Sequence, residues 1–155
     1  MSPEKVAIVG SRDYPHRQRV YDYVAALPYD TTVISGGAPG VDSWAEDAAR
    51  ERGLRVSVKH ADWDIYGRAA GPIRNTAIVA PADRVVAFWD GKSPGTADTI
   101  RKARDAGLPV EVIGLDEYPE VASIAEKRGE KILASLQELR NVREQVLAKL
   151  HGEKP

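Results

Sequence analysis

Apolar, strand-like stretches alternate with helical patterns along the first 114 residues of the chain. The strand-like stretches, which end near glycine or polar residues, are residues 5–9, 31–35, 54–60, 83–89 and 109–114. The helical patterns between them cover residues 16–27, 39–52, 72–80 and 96–106. Because strands separated by helices are joined by right-handed crossovers, they lie parallel in one sheet. The alternation therefore predicts a Rossmann-like α/β fold, a three-layer sandwich with a mainly parallel five-stranded sheet.

The last part of the chain has a different pattern. Apolar residues at helical spacing predict a long helix from residue 130 to about residue 151. We therefore divide the chain into an α/β domain, residues 1–118, and a C-terminal helical extension, residues 119–155. The extension is expected either to pack on the domain as a cover for one sheet face or to form a dimer contact, and a homodimer is predicted.

Composition and charge exclude several classes of protein. The chain is 43% hydrophobic and 29% charged, as ordinary globular domains are. It has no cysteine, which excludes disulfides, thiolate metal sites and cysteine nucleophiles, and no His/Asp/Glu cluster predicts a metal site. Without a recognisable signal peptide or an apolar membrane span, we expect a cytoplasmic protein with no membrane partner. A net charge of −1 lacks the basic excess of nucleic-acid binders, so nucleic acid is not predicted as a partner.

Residues suited to ligand binding follow four consecutive predicted strands. Glycines, hydroxyls, arginines and aromatic residues gather in residues 10–13, 35–42, 60–75 and 90–96, whereas the opposite strand ends carry plain connectors. In an open parallel sheet, ligands bind outside the carboxyl ends of the strands. The one-sided distribution therefore predicts a single anion-binding site at that edge of the sheet.

The segment SGGAPGVD, residues 35–42, contains three glycines before a predicted helix. Glycine lets backbone N–H groups approach an anion closely, and Pro39 suits a first helical turn. The alternative is a tight turn that needs glycine only for its positive φ. Asp42 would repel a phosphate at the helix end, so we expect it to accept hydrogen bonds from ribose hydroxyls or backbone donors.

The segments 60–75 and 90–96 supply the rest of the predicted site. In DGKSPGT, Ser93 and Thr96 offer hydroxyls where a helix begins, although the segment could also be a surface loop capped by Thr96. Trp63 could stack on a base or pack in the core. Arg74 lies early in a predicted helix, where a cation opposes the helix dipole. An arginine at this position is favourable if an anion binds between its side chain and the helix N-terminus.

Four stretches in this order resemble the YspA, YpsA-related branch of the SLOG superfamily. They read VAIVGSRDY, VISGGAPGVDSWAEDAA, ADWDIYGRAAGPIRN and VVAFWDGKSPGT, and the likeness covers about residues 6–114. The superfamily also holds the DprA (Smf) DNA-processing proteins and the Lonely-guy phosphoribohydrolases. The resemblance implies that residues 1–118 form a nucleotide-binding SLOG domain that senses or processes nucleotides or their derivatives.

The resemblance to Lonely-guy enzymes implies roles for several residues. The glycines of residues 35–42 match a GGxxG loop of those enzymes, and Arg74 is similar in place to a catalytic arginine. Their phosphate loop and acid read PGGxGTxxE; here the GT matches, but the glutamate position holds Thr99, with Asp98 one residue earlier. The DprA proteins, which bind single-stranded DNA, share the GSR, SGxAxGxD and RN motifs.

The leading functional hypothesis is binding or sensing of a nucleotide or a nucleotide-derived phosphorylated ligand, with no cofactor required. The first alternative is an N-glycosidase of nucleoside monophosphates, with Arg74 and Asp98 as catalytic residues. The second is DprA-like binding of single-stranded DNA. The predicted ligand-binding residues are Gly10, Ser11, Arg12, Ser35, Gly36, Gly37, Gly40, Asp42, Trp63, Arg74, Asn75, Asp90, Ser93, Gly95 and Thr96.

Overall fold

A computed structural model describes residues 3–116 and 119–151, and the chain divides into two compact units, Met1–Tyr118 and Pro119–Pro155. The first unit contains one sheet in the order β3-β2-β1-β4-β5, with every neighbouring pair parallel. Its strands are β1 (Lys5–Gly10), β2 (Thr32–Ser35), β3 (Arg55–Val58), β4 (Arg84–Phe88) and β5 (Val110–Ile113). The predicted α/β fold with a parallel five-stranded sheet is confirmed.

Five helices accompany the sheet in this unit. They are α1 (Arg17–Ala25), α2 (Val41–Glu51), the short α3 (Trp63–Tyr66), α4 (Ala70–Val79) and α5 (Pro94–Asp105), with a 3-10 turn at Gly67–Ala69 between α3 and α4. The prediction placed Pro39 in the first turn of α2, but the helix begins at Val41 because Gly40 has φ 84°. The helical pattern did not predict α3, which is only one turn long and begins where the Asp62 side chain accepts a hydrogen bond from the Ile65 N–H.

The central strands are buried on both faces of the sheet. Ala7, Val9, Val85 and Ala87 point to one face, where they pack with residues of α4 and α5. On the other face Phe88 contacts the rings of Tyr14 and Tyr23 edge to face, and α1 packs against α2. This double burial explains why the fourth strand-like stretch is an almost unbroken apolar run.

The strand order reverses between β1 and β4. The chain moves from β1 outward to β3 on one side, and then crosses to β4 on the other side. Gly10 and Phe88 are register partners at the carboxyl ends of these two strands. The loops that follow β1 and β4 therefore diverge from neighbouring points, and such a switch point opens a crevice suited to a ligand.

The second unit contains α6 (Pro119–Leu150), so the helix begins eleven residues before the predicted start at residue 130. Its large apolar side chains from residue 132 onward are exposed. Within the described residues, no helix is long and apolar enough to cross a membrane.

Candidate functional site

A cleft of about 730 Å³ opens at the carboxyl ends of β1 and β4. Loops after the strands form its walls together with α4 and the start of α5. The predicted residues that line it are Gly10, Ser11, Arg12, Asp42, Trp63, Arg74, Asn75, Asp90, Ser93, Gly95, Thr96 and Asp98. The structure thus brings most of the predicted site residues to one cavity.

The loop after β4 is fixed to the end of β1 by hydrogen bonds. The Ser11 backbone N–H donates to the Phe88 carbonyl at 3.0 Å, and the Asp90 N–H donates to Ser11 Oγ at 3.1 Å. The backbone N–H groups of Ser93 and Lys92 both donate to Asp90 Oδ1 at 2.8 Å. These N–H groups hold the pKa of Asp90 below its ordinary value. Asp90 therefore stabilises the turn that leads from this loop into α5.

The N–H groups of residues 36–38 donate to side chains of the protein itself. Asp42 is only 4% exposed, and its Oδ2 accepts a hydrogen bond from the Ala38 N–H at 3.2 Å. Burial raises the pKa of Asp42 to about 6, against the opposing effects of the Ala38 N–H, the Arg74 guanidinium and the Gly36 N–H. The Gly37 N–H donates to Ser35 Oγ at 3.3 Å. An internal carboxylate and a hydroxyl thus take the donors that we had expected to meet an external anion.

Four of the predicted ligand-binding residues do not line the cleft: Ser35, Gly36, Gly37 and Gly40. A Cβ on Gly40 would lie 2.5 Å from the Arg12 carbonyl oxygen, and a Cβ on Gly36 would lie 2.8 Å from Asp42 Oδ2. Ser35 is buried and donates to Glu46 Oε2 at 3.0 Å. These residues allow the loops after β1 and β2 to close on each other behind the cleft wall, in line with the alternative of a tight turn.

Arg74 connects α4 to the loop after β2. Its Nη1 donates to the Gly36 carbonyl at 2.7 Å, and its Nε donates to Asn75 Oδ1 at 3.0 Å. Its charge also offsets that of Asp42. The guanidinium therefore has protein partners on two sides, and it still lines the cleft.

Asn75 connects Arg74 to Asp98. The buried Asn75 amide donates to Asp98 Oδ2 at 3.0 Å, and Asp98 also accepts from Lys102 Nζ at 3.0 Å and from Arg101. Burial raises the pKa of Asp98, but these three hydrogen bonds outweigh it and hold the pKa below its ordinary value. Asp98 is therefore an ionised carboxylate at neutral pH whose charge is already balanced by two cations.

Three cations of the cleft have no such partners. Arg12, Arg68 and Lys92 line the cavity and are exposed. None of their side chains forms an ion pair or hydrogen bond with any residue that the structure describes. Arg68 and Lys92 were not among the predicted ligand-binding residues, although both stand in the segments that the sequence singled out. Their positive charge, within segments already predicted to form the site, was the signal that could have identified them as ligand-binding residues.

Trp63 forms part of the cleft wall. It is 53% exposed, and its Cη2 lies 3.4 Å from the position that a Cβ on Gly71 would take. The alternative of core packing for Trp63 is therefore wrong. Within the described part of the chain, no group of His, Asp and Glu side chains could hold a metal ion.

Comparison with known proteins identifies similar sequences. Residues 4–66 match the model of the family described as YAcAr, the YspA, cpYpsA-related SLOG family. The gene 61 protein of Mycobacterium phage D29 is 40% identical over 116 residues, which are 68% of this chain and 93% of that protein.

Solved structures share the fold at low sequence identity. DprA of Streptococcus pneumoniae has a TM-score of 0.64 at 20% identity, over 83% of this chain and 56% of that chain. DprA of Helicobacter pylori, whose structure concerns its single-stranded DNA binding mode, has a TM-score of 0.55 at 22% identity, over 88% and 81%. The structural genomics target TM1055 has a TM-score of 0.53 at 24% identity, over 69% and 72%. The chain thus spans little more than half of the S. pneumoniae protein.

Proposed function

Because the chain belongs to the YspA, cpYpsA-related SLOG family, we propose that it binds a phosphorylated nucleotide derivative in the cleft at the ends of β1 and β4. The observation that carries the proposal is the trio Arg12, Arg68 and Lys92, which line one cavity with no anionic partner among the described residues. Unpaired cations around a concave, partly apolar site favour an anionic small molecule.

The phosphate is assigned to the segment 90–96 and the start of α5. The first N–H groups of a helix have no partner within it, and they attract anions together with the helix dipole. Gly95 and Thr96 stand in the first turn of this 12-residue helix, and Lys92 lies just before it. The rival loop, residues 35–42, already holds the Asp42 carboxylate. In the segment 90–96, Asp90 accepts hydrogen bonds from the two N–H groups just before α5, so the N–H groups of Gly95 and Thr96 in the first turn are left for the phosphate.

The nucleoside part is assigned to the side of the cleft that Trp63 forms. A half-exposed indole offers a flat apolar face on which a base can stack, a contact that every base can make. Arg68 follows closely in the chain and also lines the cavity. The arrangement thus gives a nucleotide a cationic end for its phosphate and an aromatic end for its base.

Calorimetric titration with AMP, ribose 5-phosphate and adenosine tests this proposal. We expect AMP to bind, adenosine to bind much more weakly, and Lys92→Ala to weaken AMP binding by roughly 10- to 100-fold, the value of one charge-assisted contact. Arg104→Ala is the matched control, since Arg104 is an exposed cation of α5 that does not line the cleft. If no phosphorylated compound binds, or if both variants bind AMP like the wild type, the proposal is wrong.

A second candidate function is hydrolysis of an N-glycosidic bond. It is favoured by one observation: the ionised Asp98 and Arg74 line the same cleft and are joined through Asn75. A carboxylate stabilises the positive charge that develops on the sugar as such a bond breaks. Lys102 and Arg101 already balance Asp98, which weakens this role. Release of free adenine from AMP by the wild type, and its loss in Asp98→Asn, would establish the enzyme instead of a binding protein.

Single-stranded DNA is less suited to this cleft. Its lining carries Arg12, Arg68, Arg74 and Lys92 against Asp13, Asp42, Asp90 and Asp98, so the basic side chains are matched in number by acidic ones. Proteins that follow a single strand present a positively charged groove. Binding of an oligonucleotide that weakens steeply with added salt would favour the DNA function that the structure of H. pylori DprA concerns.

A further inference from the structure

The helix α6 carries a continuous apolar stripe in its described second half. Its members are Ile132, Leu133, Leu136, Leu139, Val142, Val146, Leu147 and Leu150, each between 41% and 75% exposed. Most of them are three or four residues apart, and the two adjacent pairs, 132/133 and 146/147, widen the stripe, so all lie on one side of the helix over about 27 Å. An exposed apolar surface of this length marks an interaction site.

The first unit has helices of its own on both faces of its sheet. Its central strands are fully buried, with Val6, Ala7 and Ile8 at 0% exposed. The helices α4 and α5 pack together on one face, and α1 packs with α2 on the other. The helices of this unit therefore cover its central strands without a contribution from the stripe.

We propose that α6 pairs in antiparallel orientation with α6 of a second copy of this chain. In heptad terms Leu136, Arg143 and Leu150 are the a positions, and Ile132, Leu139 and Val146 are the d positions. A parallel pair in register would place the two Arg143 side chains against each other. An antiparallel pair centred near residue 141 sets Leu139 opposite Arg143, Ile132 opposite Leu150 and Leu136 opposite Val146. That orientation separates the two charges.

The surface available is large enough for a specific contact. Burying one aliphatic side chain removes roughly 60–120 Å² of apolar surface from water, so this stripe offers on the order of 500 Å² on each helix. Two copies would bury about 1,000 Å² in total, which is near the lower bound of specific interfaces. The polar flanks of the helices would add to that area.

Light scattering after size exclusion tests the pairing on the full chain of 16.9 kDa. We expect twice this mass for the wild type and the single-chain mass for the double variant Leu136→Glu, Leu139→Glu. The matched control is Gln137→Glu, Asn141→Glu, which adds the same charge on the opposite side of α6 and should remain a dimer. A monomeric wild type, or a dimer that survives Leu136→Glu, Leu139→Glu with its circular dichroism unchanged, would overturn the proposal.

Cross-linking tests the orientation, since the chain has no cysteine of its own. Leu136→Cys and Val146→Cys are oxidised separately and after mixing and subunit exchange. The antiparallel pair predicts a disulfide-linked dimer only in the mixture. Efficient cross-linking of Leu136→Cys by itself would contradict this orientation and indicate a parallel pair.

Discussion

Asp42 illustrates how one buried carboxylate shapes the neighbourhood of the cleft. It lies almost fully out of water and accepts hydrogen bonds from the loop that a ligand was expected to occupy. Arg74 also lies next to Gly36 and donates a hydrogen bond to its carbonyl. Side chains of the protein therefore already hold the N–H groups of Gly37 and Ala38, and we assign the external anion to the N–H groups at the start of α5.

The raised pKa of Asp42 makes stability depend on pH in a defined window. The folded protein keeps Asp42 protonated up to about pH 6, whereas the unfolded chain ionises near its ordinary value of 3.8. The contribution is therefore fully present below pH 3.8 and is lost as the pH rises through 6. We expect this group to make the free energy of unfolding about 2 kcal/mol larger at pH 4.5 than at pH 7. Urea titrations at both pH values measure it.

The control for this prediction is Asp42→Asn, which keeps the shape of the side chain and can still accept the Ala38 N–H. In this variant the contribution of about 2 kcal/mol between the two pH values should disappear. Equal pH dependence of the wild type and Asp42→Asn in this window would show that another group titrates there.

The electrostatic attraction between Arg74 and the buried Asp42 predicts a coupling between the two residues. Arg74→Ala removes the hydrogen bond to Gly36 and leaves the buried carboxylate without its nearby cation, so we expect a loss of about 1–3 kcal/mol in stability. The loss should be smaller when Asp42→Asn is already present. A double-mutant cycle in urea measures the coupling, and additive effects would contradict it.

At the scale of elements, replacing two glycines of the cleft by alanine is expected to have opposite effects on stability. A Cβ on Gly10 would lie 2.4 Å from the Phe88 carbonyl oxygen and 2.7 Å from Val41 Cγ2, so Gly10→Ala should destabilise the fold by about 1–3 kcal/mol. A Cβ on Gly95 meets nothing within 4 Å. Gly95→Ala should therefore leave stability unchanged or slightly raised, because alanine favours the helix.

Ligand affinity separates the two glycine variants further. The methyl group of Gly95→Ala would stand where we assign the phosphate, so AMP affinity should fall at least tenfold although the protein is fully stable. Thermal melts and calorimetry of the same samples measure both effects. Normal AMP affinity in Gly95→Ala would show that the phosphate does not bind at this loop.

The strands and long helices could be predicted because their periodicity is local. Residues 85–89, for example, form an unbroken apolar run because β4 is covered on both faces. The helix α3 could not be predicted, since its four residues are too few for a helical period and none is buried. The start of α2 was misplaced because the positive φ of Gly40 depends on its closeness to Arg12.

The site could be predicted as a set of segments, but only in part as a set of contacts. The alternation of elements predicts a parallel sheet, and the strand order in the structure brings the ends of β1 and β4 together. Which N–H groups remain open depends on side chains that fold back, such as Asp42 onto Ala38. That choice between two glycine-rich loops is a tertiary property, and no pattern in SGGAPGVD or DGKSPGT reveals it.

At the scale of the whole molecule, three structural features together create the ligand site. Parallel strands reverse their order between β1 and β4, the loops there form one cleft, and three cations with no partner among the described residues line it. The α6 stripe lies in a separate unit, so its pairing and the ligand site are tested independently. Loss of the dimer in Leu136→Glu, Leu139→Glu is accordingly expected to leave AMP affinity unchanged.

The most direct test of the central claim is an amide NMR titration of ¹⁵N-labelled protein with AMP. The account predicts that the N–H signals of Gly95 and Thr96 shift strongly and saturate with AMP. Those of Gly36, Gly37 and Ala38 should change little, because Asp42 and Ser35 already hold them. Shifts confined to residues 36–38, or no shifts at any AMP concentration, would contradict the account.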